Sequence, residues 1–150
     1  YKSTGRPYAN SGWCAKYIDI PSEPAYPFAF GLSYTTFEYS ALKVLPGDGG
    51  KVHARVRVEV KNTGRYEGEE VVQLYVRDEA ASITRPVKEL KGFEKIALKP
   101  GESKEVVFDI TDEQLGFYDN RMNFVVEKGD FTFMVGTNSR DVDSVSYTLL

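Results

Sequence analysis

Apolar and polar residues alternate over most of the chain after residue 35, a pattern typical of β-strands with one buried face. The clearest run extends from Val52 to Val60, where every second residue is apolar and the residues between are His53 and charged side chains. Four further sets show the same period and are expected to complete the core: Val72, Leu74 and Val76; Val106, Phe108 and Ile110; Phe131, Phe133 and Val135; and Val145, Tyr147 and Leu149.

Two predicted strands contain a break in this alternation. Phe37 and Tyr39 begin one strand, but Leu42 and Val44 lie on the opposite parity. An extra residue near Ser40, a β-bulge, would bring both pairs to the same face. A second irregular strand has the same kind of break among Leu90, Phe93, Ile96 and Leu98.

Turn-forming residues separate the predicted strands. They are Gly47 to Gly50, Asn62 to Gly64, Pro100-Gly101 and Asn138-Ser139. Pro100-Gly101 suits the centre of a type II turn, because Pro fixes the first φ angle and Gly adopts the positive second one. About seven strands with such spacing predict an all-β, immunoglobulin-like antiparallel sandwich. The chain has no Cys…Trp…Cys pattern, which disfavours an antibody-type domain.

One helical turn is predicted among the strands. Thr111 and Gln114 have the spacing of a capping box, in which each side chain binds the other residue's backbone N–H. Gly116 is expected to end this turn in a left-handed conformation.

The first 34 residues have a different composition from the rest. Pro7, Pro21, Pro24 and Pro27 interrupt them, and neither a helical nor a strand period is present. We therefore predict an extended interdomain tail over residues 1–34 and a sandwich over residues 35–150, within a longer protein.

The tail is rich in aromatic residues, and two roles are open for them. They are Tyr8, Trp13, Tyr17, Tyr26, Phe28, Phe30 and Tyr34. Each can anchor the tail on a protein surface, and each can stack on a sugar ring. We expect Tyr26, Phe28, Phe30 and Tyr34 to reach the chain's own sandwich, and Tyr8, Trp13 and Tyr17 to reach a neighbouring domain.

Composition narrows the possible partners. Lysine and arginine total 19 against 22 acidic residues, a net charge of −3 that disfavours nucleic-acid binding. No run approaches the ~20 apolar residues of a membrane-spanning helix, so no membrane partner is expected. Cys14 is the single cysteine, which excludes an internal disulfide.

No catalytic constellation is apparent, and neither a metal nor another cofactor is expected. Gly31 to Thr35 only distantly resembles a nucleophile elbow. His53 is the single histidine, and its place in the alternation predicts a solvent-facing ring. Glu67, Glu69 and Glu70 are interpreted as a solvated loop rather than a calcium site.

The tail and the strands together resemble the C-terminal part of glycoside hydrolase family 3 enzymes, the β-glucosidase and β-xylosidase group. The matching motifs are Thr4-Gly5-Arg6-Pro7, Tyr26-Pro27-Phe28, residues 30–35 (FGLSYT), residues 58–64 (VEVKNTG), residues 68–76 (GEEVVQLYV), residues 85–93 (RPVKELKGF), residues 98–102 (LKPGE), residues 117–119 (FYD) and Val135-Gly136. Ala25 and Ala29 depart from the family motif, which has Leu and Gly there.

This resemblance implies a fibronectin type III-like domain that follows the catalytic domains. It implies a non-catalytic accessory role for this chain, since the catalytic aspartate and glutamate of the family lie upstream. The implied partners are the catalytic domains of the same parent chain, and the alternative is a carbohydrate-binding module that uses the tail aromatics. A periplasmic or secreted location is implied only by the family.

Overall fold

The computed structural model describes residues 24–150. The elements in chain order are β1 (Phe37–Pro46), β2 (Ala54–Asn62), β3 (Gly68–Asp78), β4 (Glu89–Leu98), β5 (Ser103–Ile110), α1 (Asp112–Leu115), β6 (Phe117–Tyr118), β7 (Phe124–Val125), β8 (Gly129–Gly136) and β9 (Val142–Leu149). Within this part of the chain no helix has the length and apolar character needed to cross a membrane.

The main strands form two antiparallel sheets. The three-stranded sheet has the order β1-β2-β5, and the four-stranded sheet has the order β4-β3-β8-β9. This arrangement confirms the prediction of an all-β antiparallel sandwich with seven principal strands. The additional β6-β7 hairpin pairs only two residues per strand, too few for an alternating pattern to reveal it.

The core lies between the two sheets and consists largely of the alternating residues. Ala54, Val56, Val58 and Val60 of β2 are fully buried, and Phe131, Phe133 and Val135 face them from β8. At about 25 cal/mol per Å² of apolar surface removed from water, such side chains are the main source of stability.

Phe108 does not belong to the fully buried set, contrary to expectation. It is half-buried and packs at the side of the core, where β5 adjoins β4. Gly92 of β4 makes the room, because a Cβ atom there would lie only 3.2 Å from the Phe108 ring. The β9 residues Val145, Tyr147 and Leu149 are also half-buried, since β9 is an edge strand.

Both predicted breaks in alternation occur. Between β1 and β2 the register shifts after Ser40 and resumes at Lys43, and Ala41 adopts a φ of 52°. Between β3 and β4 the partners change from Leu74–Gly92 to Tyr75–Leu90, so one residue of β4 is unpaired. The β1 bulge brings Phe37, Tyr39, Leu42 and Val44 to the core side. The β4 bulge brings Leu90 and Phe93 to one common face, which is the outer one.

The turn predictions are confirmed, with one correction. Gly101 has a φ of 79°, and Glu102 N donates to Lys99 O at 3.0 Å across the predicted type II turn. The capping box of Thr111 and Gln114 is complete. Gly116, however, is extended, with a φ of −73°. Glycine is needed there because a side chain would collide with the Phe124 ring.

A buried asparagine fixes the point where the chain enters the sandwich. The Asn62 amide nitrogen donates to Tyr66 O at 2.8 Å and to Leu98 O at 2.9 Å. Its carbonyl oxygen accepts from Thr35 Oγ1 at 2.6 Å and from Gly64 N at 3.0 Å. Asn62 therefore joins the start of the sandwich to the ends of β2 and β4.

Candidate interaction surface

The outer face of the four-stranded sheet carries exposed apolar side chains. Successive residues of a strand point to opposite faces, so Val71 on β3 and Leu90 and Phe93 on β4 point away from the core. Phe93 is 69% exposed. Phe28 and Leu32, from the segment before β1, are also exposed, and they line one surface groove together with these three residues. We call these five residues the apolar face.

The outer face of the three-stranded sheet is charged instead. Arg55 Nε lies 2.9 Å from Asp109 Oδ1, and Arg57 pairs with Glu105. These cross-strand pairs between β2 and β5 are partly exposed. Val107 is an exposed apolar residue of this face. A partner would thus meet apolar side chains on one outer face and paired charges on the other.

Residues 24–34 are held to the sandwich by few contacts. Pro27 is buried, and Ser139 N donates to Phe28 O at 3.0 Å. Thr35, the next residue, is buried against Asn62. This attachment relies on one proline and on backbone groups rather than on aromatic rings.

The aromatic residues of this segment are exposed, so burial of their rings does not anchor the segment on the sandwich. Tyr34 is 96% exposed, and Tyr26, Phe28 and Phe30 are exposed as well. The rings of Tyr26 and Phe30 pack on each other, with centroids 5.1 Å apart and planes tilted by 47°. Tyr8, Trp13 and Tyr17 lie outside the described residues.

A groove of about 910 Å³ runs beside the apolar face, between the segment before β1 and the four-stranded sheet. Phe37 and Tyr39 of β1 also line it. Among residues 24–150, its lining includes four carboxylates, those of Glu69, Glu70, Asp141 and Asp143, and no lysine or arginine.

A hydrogen-bonded pair shapes the wall of this groove. Tyr75 and Gln73 lie on the outer side of β3 but are buried. The Tyr75 hydroxyl donates to Gln73 Oε1 at 2.5 Å, and Gln73 Nε2 donates to Thr137 O at 2.7 Å. Desolvation raises the pKa of the Tyr75 phenol. These bonds connect β3 to the turn between β8 and β9.

Of the three acidic residues predicted to form a solvated loop, only Glu67 lies exposed in a loop. Strand β3 begins at Gly68, so Glu69 and Glu70 point to opposite faces. Glu69 is exposed and pairs with Lys95 at 2.6 Å, whereas Glu70 is 8% exposed. Within residues 24–150, no group of three or more His, Cys, Asp or Glu residues is placed to bind a metal ion.

His53 also differs from its prediction. Its Nε2 lies 2.6 Å from Asp112 Oδ1, and only a quarter of the side chain is exposed, 25%. The backbone bond from His53 N to Ile110 O brings β2 beside α1 and causes this contact. The ring therefore pairs with α1 instead of facing open solvent.

Sequence reasoning missed the apolar face and the burial of Glu70. A signal was present, because residues 70–76 (EVVQLYV) include Val71 and Tyr75 besides the alternating Val72, Leu74 and Val76. Such a near-continuous run indicates a strand covered on both faces.

Comparisons with known proteins identify the module. Residues 70–139 match the model of the fibronectin type III-like domain. A putative β-xylosidase of Formosa agariphila is 48% identical over 134 residues, which are 89% of this chain and 18% of that protein. A periplasmic β-glucosidase of Salmonella typhimurium is 46% identical, over 99% of this chain and 20% of that protein.

A solved structure agrees with these relatives. The β-glucosidase of Listeria innocua in complex with isofagomine superimposes with a TM-score of 0.87 and 42% sequence identity. The alignment covers 99% of this chain and 21% of that one. The chain thus spans about a fifth of the length of the relatives it matches.

The sandwich and the domain match define a fibronectin type III-like domain, which is an accessory module and not a catalytic one. The chain belongs to the fibronectin type III-like domains, and it is similar to the corresponding part of proteins named β-xylosidase and β-glucosidase.

Proposed function

We propose that this domain stabilises a larger glycosidase by packing its apolar face against the catalytic domains of the same parent chain. The exposure of Phe28, Leu32, Val71, Leu90 and Phe93 around one groove is the observation that carries this proposal. Contiguous exposed apolar side chains favour a protein interface.

The energetics support packing on this face. A large apolar side chain gains about 1.5–3 kcal/mol when it moves from water into a packed interior. Because Phe93 and Leu32 are 69% and 92% exposed, burial against another domain would provide most of this free energy. On the charged outer face of the three-stranded sheet, Val107 is the one exposed large apolar residue among the described strand positions, and Arg55 and Arg57 are already paired within the domain.

The parent is proposed to be a β-glycosidase that hydrolyses O-glycosidic bonds, as the names of the matched relatives indicate for those proteins. The Salmonella relative is periplasmic, which supports a periplasmic or secreted parent. Fractionation of cells that express the parent, with an antibody against this domain, would check the location.

The substitution Phe93→Ser tests the proposed packing. In the full-length parent it should lower the melting temperature of this domain by several degrees, because a buried aromatic contact is lost. In the 150-residue chain it should change little, because the ring is exposed. Calorimetry of both proteins measures the difference.

Val107→Ser on the charged face is the matched control, since Val107 is also an exposed apolar residue of a strand. It should have little effect in either protein. Equal effects of Phe93→Ser and Val107→Ser in the parent would contradict packing through the apolar face.

Carbohydrate binding is the second candidate, and the exposed rings of Tyr26, Phe30 and Tyr34 favour it. The 47° tilt between Tyr26 and Phe30 provides no shared plane, so Tyr34 is the better stacking platform. Calorimetric titration of the chain with xylo-oligosaccharides tests this candidate. Heat of binding that disappears in Tyr34→Ala would support it, and no heat would exclude it.

A further inference from the structure

Two carboxylates of β3 are buried, and only one of them is paired with a cationic side chain of the described residues. Asp78 and its partner Arg85 are 4% and 6% exposed, and Arg85 Nη1 lies 3.0 Å from Asp78 Oδ2. Arg85 also pairs with Glu89 at 2.8 Å and donates to Leu115 O at 3.0 Å. At this end of the strand the domain neutralises its own buried charge.

Glu70, at the other end of β3, has no such compensation. It is 8% exposed, and its Oε1 accepts one hydrogen bond, from the Tyr39 hydroxyl at 2.7 Å. In the part of the chain that the structure describes, no other donor and no cation lies within bonding distance of this carboxylate. A buried carboxylate without a cation is costly.

Tyr39 does not supply the missing charge. Burial and the bond to Glu70 both raise the pKa of its phenol, so the phenol stays neutral. A neutral donor satisfies one lone pair of the carboxylate and leaves the charge uncompensated.

The position of Glu70 indicates where a cation would come from. Glu70 lines the groove together with Phe37 and Tyr39 of β1. In the described part of the chain no lysine or arginine contributes to this lining, while Glu69, Asp141 and Asp143 add further negative charge to it. A cation that enters along the groove on the side of β1 would meet Glu70 near Phe37 and Tyr39.

We infer that Glu70 receives the guanidinium of an arginine from the neighbouring domain of the parent, inserted into this groove. The inference rests on the proposed packing and names the chemistry of the partner surface. Arginine is favoured over lysine because its planar, weakly hydrated head group stacks on aromatic rings and binds carboxylates with two parallel hydrogen bonds.

The substitution Glu70→Gln tests the inference in two settings. Gln retains the shape and can still accept from Tyr39, but it has no charge. In the 150-residue chain the melting temperature should stay the same or rise, because an uncompensated buried charge is removed. In the full-length parent the transition of this domain should fall by about 5–10 °C, because the arginine loses its partner.

Glu69→Gln is the matched control, since Glu69 lines the same groove but is exposed and already paired with Lys95. It should shift the melting temperature by no more than about 1 °C in either protein. An equal loss from Glu69→Gln and Glu70→Gln in the parent would contradict the inference, because the groove would then respond to total charge rather than to Glu70.

Two results would overturn the inference. Equal losses from Glu70→Gln in the chain and in the parent would assign Glu70 to a partner within the chain itself, including its residues 1–23. No loss in the parent would show that no cation reaches Glu70. If Phe93→Ser still lowers the parent's melting temperature in that case, the packing proposal stands; if it does not, the packing proposal fails as well.

Discussion

The two outer faces of the sandwich share one core and differ in almost every other respect. On the three-stranded sheet, Arg55 and Arg57 of β2 pair with Asp109 and Glu105 of β5. On the four-stranded sheet, Val71, Leu90 and Phe93 stand exposed above a groove. A strand face that satisfies its own charges suits water, whereas one that leaves apolar side chains unburied suits another protein.

The core is shared by both sheets, so the stability lost on a core substitution is the reference for substitutions on either outer face. Phe133→Ala should destabilise the 150-residue chain by about 3–5 kcal/mol, through lost burial and a cavity. Phe133 is fully buried and stacks on Tyr147 with centroids 5.5 Å apart. Urea denaturation measures the loss. A loss close to that of an exposed substitution would mean that the sheets do not pack around Phe133.

Substitution of Arg85 tests how much its buried ion pair with Asp78 contributes to the stability of the chain. Arg85→Leu should cost about 3 kcal/mol in the isolated chain, because it leaves the Asp78 carboxylate buried and unpaired. The double variant Arg85→Leu with Asp78→Asn should recover part of the loss. If the double variant is less stable than Arg85→Leu, the pair does not neutralise a buried charge.

Acid sensitivity should follow from the same network. Partial burial pushes the pKa of Glu89 upward, but hydrogen bonds and charge from Arg85 and Lys91 outweigh it and hold the pKa below the ordinary 4.5. Because the folded pKa is depressed, the stabilisation is present above 4.5 and is lost as the pH falls through the folded pKa.

Glu89→Gln should therefore be less stable than the unmodified chain near pH 7 and lose less stability on acidification below 4.5. Melting temperatures from pH 7 to pH 3 measure both slopes. If the melting temperatures of the two proteins fall in parallel with pH, titration of Glu89 does not contribute to the acid sensitivity.

The smallest effect is expected on the charged face. Arg57→Ala should cost at most about 1 kcal/mol in the isolated chain, since its pair with Glu105 is partly exposed. The cost should decrease in high salt, because ions screen exposed charges. A loss as large as that of Arg85→Leu would remove the contrast between the two sheets.

Local patterns predicted most of the fold. Alternation located the seven principal strands, and breaks in it located the bulges near Ser40 and within β4. The turn at Gly101 and the cap at Thr111 followed from residue type alone. These features depend on neighbouring residues, which a sequence displays directly.

The candidate surface depends on contacts between distant residues, which is why the sequence revealed less of it. The burial of Glu70 requires Tyr39, 31 residues away in the other sheet. His53 meets Asp112 across 59 residues, and Phe108 moves aside because of Gly92. Residues 26–34 were expected to reach the sandwich through their aromatic rings, but their attachment uses buried Pro27 and the Phe28 carbonyl.

The hydrogen bonds of Asn62 have a mechanical consequence. Any pull that reaches the sandwich along the chain from residue 34 meets Thr35 first, and Thr35 is tied to Asn62 and through it to Leu98 at the end of β4. Tension is thus shared between both sheets before β1 can be peeled from β2. Under a force applied to the segment before β1, the hydrogen bonds of the Asn62 side chain must break before the two sheets can separate.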